Sequence, residues 1–243
     1  MTLTSLPDGY CAAVFGASGG IGRALVAALD ADPRCAGIHA GSRQTMTHPS
    51  PKVSGFLFDL SDEASLEAAA DLIGAPDLII VATGRLHGPG LTPEKSLRAI
   101  ASQALQEAFA INAIGPTLMA RHVLPRMPRM RRTLFAALSA KVGSISDNRL
   151  GGWHSYRASK AALNMLIRTI AIELTRTHPE LVCVALHPGT VDTPLSKPFQ
   201  AGVPAERLCT PEDAANHLLA VLDKLGPQNS GRLFGWDGQE ISP

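Results

Sequence analysis

Residues 10–15 (YCAAVF) form a short apolar run that passes directly into Gly16-Ala-Ser-Gly19-Gly20-Ile21-Gly22 and then into Arg23-Ala-Leu-Val-Ala-Ala-Leu29. The pattern reads as strand, glycine turn, helix. Glycines let the backbone turn tightly and approach a pyrophosphate with no Cβ in the way. The helix behind them offers unpaired N–H groups and a positive dipole end to a phosphate. The spacing is Gly16-x-x-x-Gly20-x-Gly22, and Gly19 also allows Gly-x-x-Gly-x-x-Gly. Neither is the usual Gly-x-Gly-x-x-Gly of dinucleotide-binding folds. An ordinary glycine-rich turn is the alternative, but the position between a first strand and a first helix favours nucleotide binding.

The rest of the chain repeats this alternation. Strands are expected at 35–41, 55–58, 77–82, 133–138, 181–186 and 231–234, and helices at 61–72, 96–121, 155–176 and 211–225. Ser61 is expected to cap the first of these helices, and Thr210 the last, with Asp213 in the capping-box position. The run 77–82 (DLIIVA) is apolar throughout, as in a parallel strand buried on both faces. The fold class expected is therefore α/β: one doubly wound parallel sheet, a Rossmann fold over 1–243, with helices on both faces and a ligand crevice at the carboxyl ends of the strands.

Composition excludes several other classes. A chain of 243 residues, 45% hydrophobic, suits one domain with a full core. Its net charge of +1 argues against nucleic acid or an acidic membrane as partner. Residues 1–8 lack a signal-peptide pattern, and no apolar run approaches the ~20 residues of a membrane span. Cys11, Cys35, Cys183 and Cys209 are scattered, which reads as core thiols in a reducing cytoplasm. The eight histidines form no ligand-spaced cluster, so no metal is expected.

The chemistry-bearing residues fall at predicted strand ends or on helices. Tyr156 and Lys160 are four apart, one turn apart on one helix face. An ammonium there is expected to pull the phenol, ordinarily near ~10, toward the working range. Ser42-Arg43 ends the second strand, where NAD-binding folds place a carboxylate for the ribose hydroxyls. Arg43 could instead pair with a 2′-phosphate, which favours NADP(H) and leaves NAD(H) open. Asp59 could hold an adenine amino group or simply turn the chain. Thr83-Gly84 follows the fourth strand, and Gly84 would let the chain pass close to a cofactor. Asn112 lies mid-helix, where asparagine is a mediocre former.

Taken in order, these residues identify a resemblance to the short-chain dehydrogenase/reductase family over essentially the whole chain. The motifs carrying it are Gly16–Gly22, Asn112, the Ser139 strand end, Tyr156-x-x-x-Lys160 and Pro188-Gly189. The segments 143–148, 151–164 and 187–194 are similar to the C-factor/sniffer-like carbonyl reductase branch. The resemblance implies that Tyr156 gives a proton to a carbonyl oxygen while NADPH delivers hydride to the carbon. It implies that Lys160 tunes Tyr156 and holds the nicotinamide ribose, and that Asn112 anchors a proton-relaying water. Val191 and Thr193 would fix the nicotinamide amide, and Ser18, Ile21, Leu60, Thr83, Gly84, Pro188 and Gly189 would line the cofactor. A substrate lid is expected at about 193–210, with Trp153 and Phe199 in the pocket. The implied substrate is a small carbonyl or alcohol, and the implied assembly a homodimer or homotetramer. The sequence departs from the family at the catalytic serine, whose usual place holds Ala140. Ser139 stands one position early, and Ser144, in the next loop, is the other candidate. That departure supports a second reading, a cofactor-binding regulatory or signalling protein.

Overall fold

The alternation becomes a sheet whose strands change direction of progress at its centre. In a computed structural model, described for residues 2–88, 91–204 and 207–243, the strands are β1 (Tyr10–Phe15), β2 (Cys35–Ser42), β3 (Val53–Leu57), β4 (Leu78–Val81), β5 (Thr133–Leu138), β6 (Leu181–His187), β9 (Leu233–Gly235) and β10 (Glu240–Ile241). They lie in the order β10-β9-β6-β5-β4-β1-β2-β3, parallel except for the terminal β9–β10 pair. The chain runs outward from β1 to β3, then returns to β4 and runs outward the other way. Between β1 and β4 the two halves diverge, and a crevice opens there.

The helices are α1 (Gly20–Asp30), α2 (Glu63–Ile73), α3 (Ser102–Phe109), α4 (Gly115–Val123), α5 (His154–Leu174) and α6 (Pro211–Lys224). Helices α1 and α6 cover one face of the sheet, with Leu25, Leu29, Leu218 and Leu222 packed on Val14, Ile80 and Val184. The other face takes α2, α4 and α5, with Leu66, Met119 and Leu163 packed on Phe15, Ile79 and Phe135. Successive residues such as Val14 and Phe15 thus enter opposite cores, as the period of a strand requires. Register keeps the strand ends level: Phe15 pairs with Gly41 and with Val81, Val81 with Ala137, and Leu138 with Leu186. Everything just beyond these residues shares one edge.

Several boundaries differ from expectation. The third strand begins two residues early, at Val53. Asp62, not Ser61, caps α2 by accepting the Ala64 N–H at 3.1 Å, while Ser61 bonds to Asp59. The single helix expected over 96–121 is broken into a short turn (Leu97–Ala99), α3, a wide π turn (Ala110–Ile114) and α4. Proline at 116 supplies the reason. It has no N–H, so the Asn112 carbonyl cannot receive its ordinary i+4 bond, and the chain widens there.

A short ladder lies outside the main sheet. Here β7 (Thr190–Val191) pairs with β8 (Leu208–Cys209), tying the two ends of the expected lid together. Residues 205 and 206 of that lid lie outside the described residues. No helix among the described residues is long and apolar enough to cross a membrane.

Candidate active site

Beyond the level strand ends lies a cavity of about 670 Å³. Its walls include Gly16 and Ser18 from the glycine turn, Arg43 after β2, Asp59 and Leu60 after β3, and Thr83-Gly84 after β4. Gly22 does not line it. Its place is underneath, where an added Cβ would stand 2.1 Å from the Gly16 carbonyl oxygen. Gly16 itself has φ +89°, which a side chain would strain. The turn is therefore folded onto itself, and α1 begins at Gly20 with its N-terminus directed at the crevice edge. The Thr83 hydroxyl is buried at the cavity wall with no hydrogen-bond partner, a donor without its acceptor. The bare glycine cradle, the helix N-terminus and that hydroxyl fit a pyrophosphate-bearing dinucleotide.

Charge at the far end is mixed. Arg43 is exposed at the cavity, and Asp59 stands near it. The hydroxyl and amide of Ser61 hold Asp59 below the usual carboxylate range, and Arg43 pushes in the same direction.

Tyr156 and Lys160 occupy the first turns of α5. Lys160 is 2% exposed, and its Nζ donates to the Leu138 carbonyl at 2.8 Å and lies 5.8 Å from the Tyr156 ring centre. Burial moves both groups toward their neutral forms. The lysine falls to about 7, and the tyrosine is pushed up to about 12 rather than pulled down as the sequence led us to expect. Desolvation of the phenol is the cause of its rise. At neutral pH the phenol therefore carries its proton, the state an acid needs.

Asn112 is fully buried in the π turn and joins three segments. Its Oδ1 accepts the Arg85 N–H at 2.8 Å, while its Nδ2 donates to the Arg85 carbonyl at 2.9 Å and to Ser159 Oγ at 3.1 Å. A Cβ on Gly84 would stand 3.6 Å from Asn112 Oδ1 and 3.7 Å from Lys160 Nζ, so the three positions adjoin.

The serines stand elsewhere. Ser139 donates to Asn164 Oδ1 at 2.7 Å, and Ser144 bonds to Ser146 and to the Asp147 amide. Neither is hydrogen-bonded to the Tyr156 hydroxyl. Pro188, Gly189, Val191 and Thr193 follow β6 but do not line the cavity. Thr193 turns its hydroxyl back to the Val191 carbonyl, and a Cβ on Gly20 would meet Thr193 Cγ2 at 2.7 Å. Ile21 lies beside Gly20 in the first turn of α1, half-buried.

Trp153 and Phe199 do come together beside the tyrosine. Trp153 meets Phe199 edge-on at 4.9 Å and Tyr156 at 6.2 Å. His87, which sequence reasoning missed, joins them, 5.6 Å from Phe199. Its Nε2 lies 3.1 Å from the carbonyls of both Pro194 and Leu195. The clue available was its place three residues past Gly84, in the loop that leaves a strand end.

Residues 10–203 match the family model described as short chain dehydrogenase. The chain belongs to the short-chain dehydrogenase family. It is an NAD(P)-dependent oxidoreductase of that family. It is 37% identical over 138 residues to C-signal of Myxococcus xanthus, covering 56% of this chain and 77% of that one. Its fold superposes on NADPH-bound carbonyl reductase from chicken fatty liver with a TM-score of 0.85 at 24% identity, over 98% and 96% of the two chains. The carbonyl reductase Sniffer of D. melanogaster gives 0.83 at 20% identity, over 96% and 99%.

Proposed function

We propose that this protein is an NADP(H)-dependent carbonyl reductase, or the reverse alcohol dehydrogenase, for a small, largely apolar substrate. The observation that carries the reading is Tyr156 one turn from buried Lys160, whose Nζ adjoins Gly84 at the cavity wall, with Trp153 packed beside the phenol ring. Gly16, Ser18, Thr83 and Gly84 would hold the dinucleotide, and Arg43 its 2′-phosphate. Bound, the nicotinamide supplies hydride to a carbonyl carbon or accepts it in the reverse direction. Tyr156 donates its phenolic proton to the carbonyl oxygen and takes one back during oxidation. Lys160 lies behind it and returns charge to the site when protonated. Asn112 fixes the Arg85 backbone and, through Ser159, the first turns of α5. Trp153, Phe199 and His87 exclude water from one side of the reacting carbonyl. The protein works in a reducing cytoplasm, as its free cysteines allow.

The test is consumption of NADPH and NADH by the purified protein with a panel of aldehydes, ketones and quinones. NADPH-linked turnover is expected, falling about a hundredfold or more in Tyr156→Phe. Turnover that survives in that variant would sink the acid assignment.

A second reading has its own support. Ser139 is engaged with Asn164, Ala140 occupies the serine position, and the chain is similar to C-signal. On this reading the protein binds the cofactor but turns over little. Tight NADPH binding without turnover, with activity appearing in Ala140→Ser, would favour it over the first.

A further inference from the structure

The helix that carries Tyr156 has no cap of its own. It begins at His154, and Trp153 before it makes no side-chain cap bond. The chain enters through three successive left-handed residues, Gly151 (φ +63°), Gly152 (φ +65°) and Trp153 (φ +53°). Among the described residues Trp153 is the one non-glycine with positive φ. For a bulky side chain this conformation is disfavoured and persists only where the surroundings enforce it.

Glu94 enforces it from the loop between β4 and α3. Its main-chain carbonyl accepts the Trp153 N–H at 2.5 Å. Its Oε2 accepts the Ser155 N–H at 3.1 Å, and its Oε1 accepts the Ser155 hydroxyl. Glu94 is 3% exposed and Ser155 2%. A carboxylate from a distant segment thus closes the N-terminus of α5, where the helix dipole favours negative charge. Tyr156 is the next residue. Trp153, held by the same glutamate, is the aromatic group between Tyr156 and Phe199.

We propose that the Glu94 side chain is a positioning residue for Tyr156: its carboxylate fastens Ser155 and with it the strained start of α5, so that the phenol and the neighbouring Trp153 stand at a fixed height above the cofactor crevice. This rests on the reductase reading above. Burial opposes ionisation of the Glu94 carboxyl, but the Ser155 hydroxyl and the backbone amides outweigh it and hold the group below its usual range. What the site requires is reach and two hydrogen-bonding atoms. Glutamine has both. Its carbonyl accepts the Ser155 N–H and its amide donates to Ser155 Oγ once that hydroxyl rotates. Aspartate keeps the charge but is one methylene short.

The experiment compares Glu94→Ala, Glu94→Asp and Glu94→Gln, each also in a Trp236→Phe background that leaves Trp153 as the one tryptophan of two. With a carbonyl substrate, Ala and Asp are expected to lower kcat about tenfold to a hundredfold, the scale of a small misplacement of reacting groups. NADPH affinity should stay within about twofold of the parent, since uniform binding is untouched. Trp153 emission should shift to the red in both variants, while Gln restores the parent emission and most of kcat. The emission readout needs no turnover, so it judges the positioning claim even if no carbonyl proves to be a substrate. Parent-like kcat and emission in Glu94→Asp, a Gln variant as impaired as Asp, or NADPH affinity lost in step with kcat would each overturn the proposal. Should Glu94→Ala not fold, the Asp and Gln pair decides alone.

Discussion

Among the described residues, Lys160 is buried with a backbone carbonyl, not a carboxylate, as its partner. Its folded value of about 7 lies below the ordinary lysine value of 10.5. Between those two values the unfolded chain holds a proton that the folded chain has released, so this residue makes stability rise with pH across that window. Below about 7 both states are protonated and the cost of burying the charge is fully present. The melting temperature of wild type relative to Lys160→Met should therefore climb between pH 6.5 and 9.5, at about 2–4 °C per kcal/mol for a chain of this size. A difference that stays flat across that range would refute the buried-ammonium account. Arg43 makes a separate prediction at the same scale. Arg43→Ala should weaken NADPH binding about tenfold or more while leaving NADH binding nearly unchanged, because a guanidinium recognises the 2′-phosphate through charge-assisted bonds. Equal loss for both cofactors in a titration would remove the 2′-phosphate argument.

Among elements, the broken helix around Asn112 carries the most consequence. Pro116 withholds an N–H from the Asn112 carbonyl, and the π turn that results places the Asn112 amide against Arg85 and Ser159. Pro116→Ala restores the missing donor. The turn should then tighten toward regular helix, swing Asn112 away from the β4 loop and lower kcat about tenfold. Hydrogen exchange at the Arg85 amide, now bonded to Asn112 Oδ1, reads this directly. Exchange as slow as wild type would mean the asparagine, not the proline, fixes the turn. This element also shows where sequence reading stops. Continuous apolar runs such as 77–82 announced the sheet because burial on two faces is written in local hydrophobicity. The glycine turn announced its phosphate edge for an equally local reason. Which way Ser139 points, and that His87 and Glu94 reach 107 and 61 residues along the chain, depends on partners that no local pattern names.

Considered as a whole molecule, the sheet keeps chemistry on one edge and leaves the outer surface of α4 and α5 for other uses. Ile114, in the π turn just before α4, and Met165 and Ile172 on α5 are 50%, 67% and 59% exposed, and Met165 and Ile172 are seven residues apart on one helix face. We propose that these apolar side chains support a twofold pairing of α5 between copies. Met165→Asp combined with Ile172→Asp should convert an oligomer to monomer in sedimentation, with the melting temperature dependent on concentration only in the parent. An oligomer that persists in the double variant would place the interface elsewhere.

The two-rung ladder of Thr190–Val191 with Leu208–Cys209 has a bearing on ancestry as much as on motion. The ladder fastens the segment's two ends to each other, while His87 and Trp153 meet it at Pro194, Leu195 and Phe199. Lengthening a tied loop costs little, about 0.6 kcal/mol for each doubling. Residues between the rungs that do not touch His87, Trp153 or Gly20 can therefore be inserted or exchanged without asking the core to readjust. Closely related chains can then diverge in what they accept while melting at nearly the same temperature. If the segment governs substrate choice, as we propose, grafting it between such relatives transfers that preference as a portable module.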